Sequence, residues 1–324
     1  MELSVVATLY NSQKSLLDFY RATVEAAEQH FESFDIILVN DGSPDNSLDI
    51  AIQLSHDDPR VVVVDLSRNF GHHRAMMTGL SFATGDLVFL LDSDMEERPE
   101  YLHRFLERMR AEKCDVVYGV QETRRGSFSE RISGSLYYWL MNKLSDIKIP
   151  ANLTTARLMT RRYVDSLLMH REREIVISGL WAITGYHQVA EVVIKTRTRA
   201  TDYTVFKKLR LAIDSSTTFS GDLLYKVMYF GIFISFLALL FIIYLVVQRL
   251  FFGSALEGWT SVIASMWLLG GINILFVGLV GTYVARIFTE TKKRPYALVR
   301  QVYGRNNSAA HSPPPPLLEV ADSL

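Results

Sequence analysis

The chain has 324 residues, a formal net charge of −1 and a single cysteine, Cys114. The near-zero charge gives no global attraction to nucleic acid, and a lone cysteine excludes an internal disulfide framework. Apolar residues are unevenly placed: 227–248 and 258–285 carry no formal charge, whereas residues 1–200 contain no comparable stretch.

Residues 3–9, Leu-Ser-Val-Val-Ala-Thr-Leu, are predicted as the first strand. No basic segment precedes them, so a secretory signal is not expected. Asn11 and Ser12 offer caps to a helix whose apolar spacing covers 16–31. A second strand over 34–39 stops in Asn40-Asp41-Gly42-Ser43-Pro44-Asp45, a dense turn signature. A helix over 47–55, a strand over 61–66 and a helix over 75–83 follow. A fourth strand is expected over 86–91, a helix over 101–112 opened by Pro99, and a fifth strand over 115–119. Cys114, just before that strand, reads as a small core hydrophobe.

Strands alternating with helices through short connections predict an α/β domain with a parallel sheet covered on both faces. Ligands bind such sheets beyond the carboxyl ends of the strands. Four polar groups follow strands: Thr8, Tyr10 and Asn11; Asn40 and Asp41; 68–73; and 92–96. The last reads Asp92-Ser93-Asp94-Met95-Glu96. In a continuing strand, Asp92, Asp94 and Glu96 would share one face. Three crowded carboxylates repel one another unless a positive charge sits among them, and a hard divalent cation shared with substrate phosphates would supply it. The sequence has neither Gly-x-Gly-x-x-Gly after the first strand nor a Gly-Lys-Ser/Thr phosphate loop. Metal and arginine are the remaining means of handling phosphate. Adjacent His72 and His73 are expected in a loop or packing role.

The two uncharged stretches meet the length rule for membrane-spanning helices. Lys207, Lys208, Arg210 and Lys226 precede the first. Arg286, Lys292, Lys293 and Arg294 follow the second, and only Arg249 lies between them. Both ends are therefore expected on the cytoplasmic side. Residues 203–224 mix apolar and basic side chains and read as interfacial amphipathic helices. Glycines 270, 271, 278 and 281 permit close helix contact, within the hairpin or in a homo-oligomer, dimer or tetramer. The proline run 313–316 is expected to be extended.

Six stretches carry a resemblance. They are Thr-Leu-Tyr-Asn at 8–11, Val-Asn-Asp-Gly-Ser-Pro-Asp at 39–45, Ser-Arg-Asn-Phe-Gly-His-His at 67–73, Asp-Ser-Asp-Met-Glu-Glu-Arg-Pro-Glu at 92–100, Ala-Arg-Leu-Met-Thr-Arg-Arg at 156–162 and Lys-Lys-Arg-Pro-Tyr at 292–296. Together they resemble inverting family-2 glycosyltransferases of the membrane-attached polyprenyl-phosphate subgroup. The resemblance implies a GT-A fold, Rossmann-like with a mostly parallel sheet, at 1–202. It also implies interfacial helices at 203–224, two membrane helices at 225–288 and a cytoplasmic tail at 289–324.

By the same resemblance, a nucleotide-diphosphate sugar, UDP-linked by expectation, would bind at Thr8, Tyr10, Asn11, Asn40, Asp41, Arg68, Asp92 and Ser93. Asp94 and Glu96 would hold Mg²⁺ or Mn²⁺. Arg157, Arg131 and Arg199 would face the phosphate of a polyprenyl acceptor such as undecaprenyl phosphate, and Asp92, Asp94 and Arg157 would be catalytic. The chain departs from the family pattern at Thr8 (Pro), Asn40 (Asp), Glu96 (Gln) and Asp202 (Lys). Two other readings stay open: a processive polysaccharide synthase, whose Gln-x-x-Arg-Trp signal is absent, and a catalytically impaired membrane scaffold.

Overall fold

The structure, a computed structural model, describes residues 1–121, 152–170, 172, 175–194, 233, 236, 237, 240, 259–292 and 294–304. Eight strands form one sheet in the order β7-β5-β6-β4-β1-β2-β3-β8. They are β1 Leu3–Leu9, β2 Phe34–Asn40, β3 Val61–Leu66, β4 Leu87–Asp92, β5 Val116–Val120, β6 Leu153–Thr160, β7 Gln188–Val192 and β8 Val299–Tyr303. β6 and β8 run against the other six.

The central strands are near-continuous apolar runs because both their faces are covered. All seven residues of β1 are buried. On one face, Val5, Ala7, Leu9, Leu38 and Phe89 form the main core with α1 (Leu16–Glu28), α2 (Ser47–Asp57) and α4 (Tyr101–Glu112). The opposite face carries α3 (His72–Phe82), whose Gly79 comes so close to the sheet that an added Cβ would sit 2.5 Å from Val6 and 2.8 Å from Val39. Two short helices follow β6: α5, Arg161–Leu168, and α6, Ile177–Ile183.

The predicted strands and helices up to residue 120 are all present, with ends shifted by a few residues. The sheet contains three strands that the pattern did not announce. β6 lies between β4 and β5 and opposes both. β7 extends one edge, pairing parallel with β5. β8 closes the other, antiparallel to β3. The last of these lies within the expected tail at 289–324: after the apolar stretch the chain returns to the sheet.

Two units are distinguished. The first holds all eight strands and α1–α6; the second holds the helix α7, Trp259–Thr291, of 33 residues. Within α7, Leu269–Thr291 is long and apolar enough to cross a membrane by length and composition. The helix continues past the uncharged stretch that ends at residue 285. The expected interfacial helices lie outside the described residues. So does most of the expected first span, in which Phe233, Phe236, Leu237 and Leu240 are helical and exposed.

Candidate active site

The carboxyl ends of β1, β2, β3 and β4 lie along one edge of the sheet because these strands are mutually parallel. β6 starts at the same edge because it runs the other way. This places Thr8, Asn40, the loop after β3, Asp92 and Thr155 together.

Asp92 ends β4 and is held from two elements. Thr155 Oγ1 donates to its Oδ2 at 2.9 Å, and His72 Nε2 lies 3.2 Å from its Oδ1. The other ring nitrogen of His72 is 3.0 Å from Thr8 Oγ1. Burial pulls the His72 pKa down, but the hydrogen bond and charge of Asp92, then the charges of Asp41 and Asp94, outweigh it and raise the value above the ordinary one. His72 is thus a member of the acidic group. A helix start at residue 75 hid this; α3 opens at His72, directly after Gly71 at φ +101°. His73 turns away, with Nδ1 3.0 Å from the carbonyl of Ile175.

The strand alternation that would align Asp92, Asp94 and Glu96 stops at Asp92. Met95 takes φ +61°, a left-handed conformation costly for a side chain with a Cβ, and the segment becomes a turn. Ser93 is buried and ties the turn to β1, donating to the Thr8 carbonyl at 2.7 Å and lying 2.9 Å from Ser12 Oγ. Asp94 is exposed, and its Oδ1 accepts the Glu96 N–H at 2.9 Å. The fully buried acid is Glu97, which accepts the backbone N–H groups of Thr155 and Ala156. That bridge fixes the turn against β6. Nothing in the sequence around Glu97 distinguishes it from its neighbour Glu96.

Asp41 is 3 % exposed and accepts the N–H groups of Phe70 at 2.7 Å and Gly71 at 3.0 Å. Burial raises its pKa, against those two hydrogen bonds and the charges of His72 and Arg68. Its carboxylate therefore fixes the loop that opens α3. Gly42, at φ +60°, meets the same loop: a Cβ there would lie 2.4 Å from the Asn69 nitrogen.

Asn40 is buried, donating Nδ2 to Asp65 Oδ1 at 2.8 Å and accepting the Ser43 N–H at 3.2 Å. Asp45, which the spacing did not single out, gathers the turn: it accepts the hydroxyls of Ser43 and Ser47 and the N–H groups of Ser47 and Gln13. Burial works upward on its pKa, yet these bonds bring it to about 2. Tyr10 is half-exposed, and the Asn11 N–H donates to Ser43 Oγ. Arg68 lies along the surface, its guanidinium 4.1 Å from the Phe70 ring centre and donating to the Asn69 carbonyl.

Arg157 is not presented at the surface. It is 1 % exposed on β6, with its guanidinium carbon 3.0 Å from the ring centre of Trp181 on α6. Nε lies 3.4 Å from the Thr155 carbonyl, and Nη2 lacks a hydrogen-bond partner among the described residues. Burial lowers its pKa to about 9, against the charges of Tyr163, Glu97 and Tyr118. Arg157, expected to face the acceptor phosphate or the sugar, is stacked on Trp181 and buried in this structure. Arg131 and Arg199 lie outside the described residues.

Among the described residues no three His, Cys, Asp or Glu side chains group as metal ligands. Mg²⁺ commonly takes one or two carboxylates and completes its shell with water and substrate phosphate. Asp94 and Glu96, in one turn after Asp92, supply carboxylates of the chemistry a hard cation shared with a diphosphate takes.

A family model described as "Glycosyl transferase family 2" matches residues 4–168, from β1 through α5. A protein of Mycobacterium tuberculosis named among glycosyltransferases is 45% identical over 94% of this chain and 89% of its own length. The uncharacterized glycosyltransferase YkcC of Bacillus subtilis is 33% identical over 95% and 96%. A prophage bactoprenol glucosyl transferase homolog of Escherichia coli is 30% identical over 93% and 99%. With the α/β sheet and its polar edge, these likenesses identify the chain as a member of glycosyl transferase family 2, with the GT-A fold.

Proposed function

We propose that the chain transfers a sugar, with inversion, from a nucleotide diphosphate, UDP by preference, to a polyprenyl phosphate such as undecaprenyl phosphate. The carrying observation is the Asp92–Ser93–Asp94 turn, pinned to β1, β6 and α3 at the edge where five strand ends meet. The similarity to a bactoprenol glucosyl transferase homolog over nearly the whole of both chains supports the lipid acceptor.

An acceptor phosphate oxygen attacks the anomeric carbon opposite the leaving group, so the configuration inverts. A phosphate monoester is already largely ionised at neutral pH, and no strong general base is required. Asp92, fixed by Thr155 and His72, orients the donor sugar or ribose. Asp94 offers its carboxylate at the surface beside the donor diphosphate. Mg²⁺ or Mn²⁺, held by Asp94 and Glu96, would stabilise the charge developing on the departing nucleoside diphosphate. Asn40, Ser43 and the loop fixed by Asp41 form the nucleotide side of the pocket, with Tyr10 and Asn11 at its rim. Arg157 acts from behind Thr155 as a fixed positive charge. Arg131 and Arg199 are the candidates for the acceptor phosphate.

The apolar helix α7 supports action at a membrane; the two-helix hairpin over 225–288, the interfacial segment 203–224 and a cytoplasmic catalytic unit are part of the proposal. The test is a panel of radiolabelled UDP- and GDP-sugars, supplied with undecaprenyl phosphate and Mg²⁺ or Mn²⁺. A butanol-extractable labelled lipid is expected from a UDP-sugar. A polymeric product would replace this reading with a processive synthase. No product and no metal-dependent nucleotide binding would leave a scaffold.

A further inference from the structure

The segment that follows α7 in the chain belongs to the donor pocket's support. Residues 295–304 hold to β3 and to the loop that follows it. The Leu298 carbonyl accepts the Ser67 N–H at 2.9 Å, and Arg300 Nη2 donates to the Ser67 carbonyl at 2.7 Å. β8 pairs with β3 from Val63↔Tyr303 to Leu66↔Val299, with an irregularity between Asp65 and Leu66. Gly304 lies against β3 so closely that a Cβ would meet the Val61 carbonyl oxygen at 2.1 Å.

The irregularity falls where Arg300 reaches the sheet. Its Nη1 is 3.4 Å from Oδ2 of Asp65, an acid only 1 % exposed in a strand otherwise made of valine and leucine. The other oxygen of Asp65 accepts Asn40 Nδ2 at 2.8 Å, and Asn40 Oδ1 accepts the Ser43 N–H. An unbroken line of polar contacts runs from Arg300 through Asp65 and Asn40 to the turn at 40–43. An Asn side chain can present its oxygen or its amide. The Asp65 carboxylate accepts only, so it fixes the Asn40 amide inward and the oxygen toward the turn.

The geometry points to Arg300 as a positioning residue for donor binding: by holding Asp65 it sets the orientation of Asn40 and the turn at 40–43. This rests on the reading of that turn as the nucleotide side of the pocket. A residue C-terminal to the apolar helix thereby controls affinity at a site built almost entirely from the first hundred residues.

The test uses the full-length detergent-solubilised protein with Arg300→Gln, Arg300→Lys, Asp65→Asn and the Arg300→Gln/Asp65→Asn double variant. Binding of UDP and of GDP is titrated in Mn²⁺, and donor KM, kcat and melting temperature are measured alongside. Arg300→Gln is expected to weaken UDP binding and raise donor KM by about tenfold, on the scale of one hydrogen bond to a charged group, with kcat within about twofold. Arg300→Lys restores most of the affinity, and the double variant is no worse than the weaker single. Unchanged UDP binding and donor KM in both Arg300→Gln and Asp65→Asn, whatever their melting temperatures, would overturn the inference. So would a fall in kcat at constant KM. Asp94→Ala serves as the separate control. If it leaves metal-dependent UDP binding intact, the site reading itself fails. If it abolishes binding while Arg300→Gln binds normally, only the role of Arg300 is lost.

Discussion

Asp94 and Asp45 illustrate two kinds of acid in one site. Asp94 is exposed at its turn, so its removal is expected to leave the fold standing. Asp94→Ala is expected to lower metal-dependent turnover by about 100-fold or more, with the melting temperature little changed. Normal turnover in that variant would remove it from the metal site. Asp45 is structural. Its pKa is depressed to about 2, so its contribution to stability is complete above the unfolded value near 4 and is lost as pH falls through about 2. Comparing the denaturation free energies of wild type and Asp45→Asn from pH 5 to pH 2 should show the difference closing over that window. A constant difference would mean the charge is not what matters.

Arg157 separates a structural cost from a functional gain. A buried guanidinium with an unpaired Nη2 is a poor contributor to stability, and replacing it with an apolar side chain of similar length is commonly neutral or better. Arg157→Met is therefore expected to melt at or above the wild-type temperature while losing transfer activity. A drop in melting temperature with full specific activity would show that the stack on Trp181 is there for packing.

Elements were legible in proportion to how local their signal is. β1 to β4 are apolar runs ended by turn residues, and such runs announce themselves. β6, β7 and β8 do not. Five-residue strands such as Gln-Val-Ala-Glu-Val and Val-Arg-Gln-Val-Tyr become strands through their partners, and sequence alone does not name partners. The same limit hid Thr155, which enters the site only because β6 slots between β4 and β5 in the reverse direction. It also hid Glu97, whose role depends on two N–H groups more than fifty residues away.

Between elements, Gly42 joins the turn after β2 to the loop after β3. Gly42→Ala would force a Cβ into backbone at 2.4 Å and hold alanine at φ +60°. A loss of at least about 2 kcal/mol in stability is expected from the conformational and steric penalties together. Chemical denaturation measures it, and a change within about 0.5 kcal/mol would mean that the loop moves aside freely.

At the scale of the molecule, the unit that carries the sheet takes in residues after α7 as well as those before it. α7 has 33 residues, about 50 Å at the usual rise, and exposes Val262, Met266, Ile274, Val277 and Phe288. A bilayer core of about 30 Å takes up most of that length. The protein is expected to stay with the membrane fraction through an alkaline carbonate wash and to leave it only with detergent. Release by carbonate alone would argue against insertion.

The pairing of β8 with β3 carries a parity rule. Residues 61–66 and 299–303 are neighbours in one sheet, so they lie in the same compartment. A chain that leaves an aqueous compartment and returns to it crosses any intervening bilayer an even number of times. If α7 crosses, the crossings between β7 and β8 must total an even number. A reporter fused after residue 304 and another inserted near residue 254 should then report opposite sides, whereas the same side for both would place α7 flat on the surface or inside the protein.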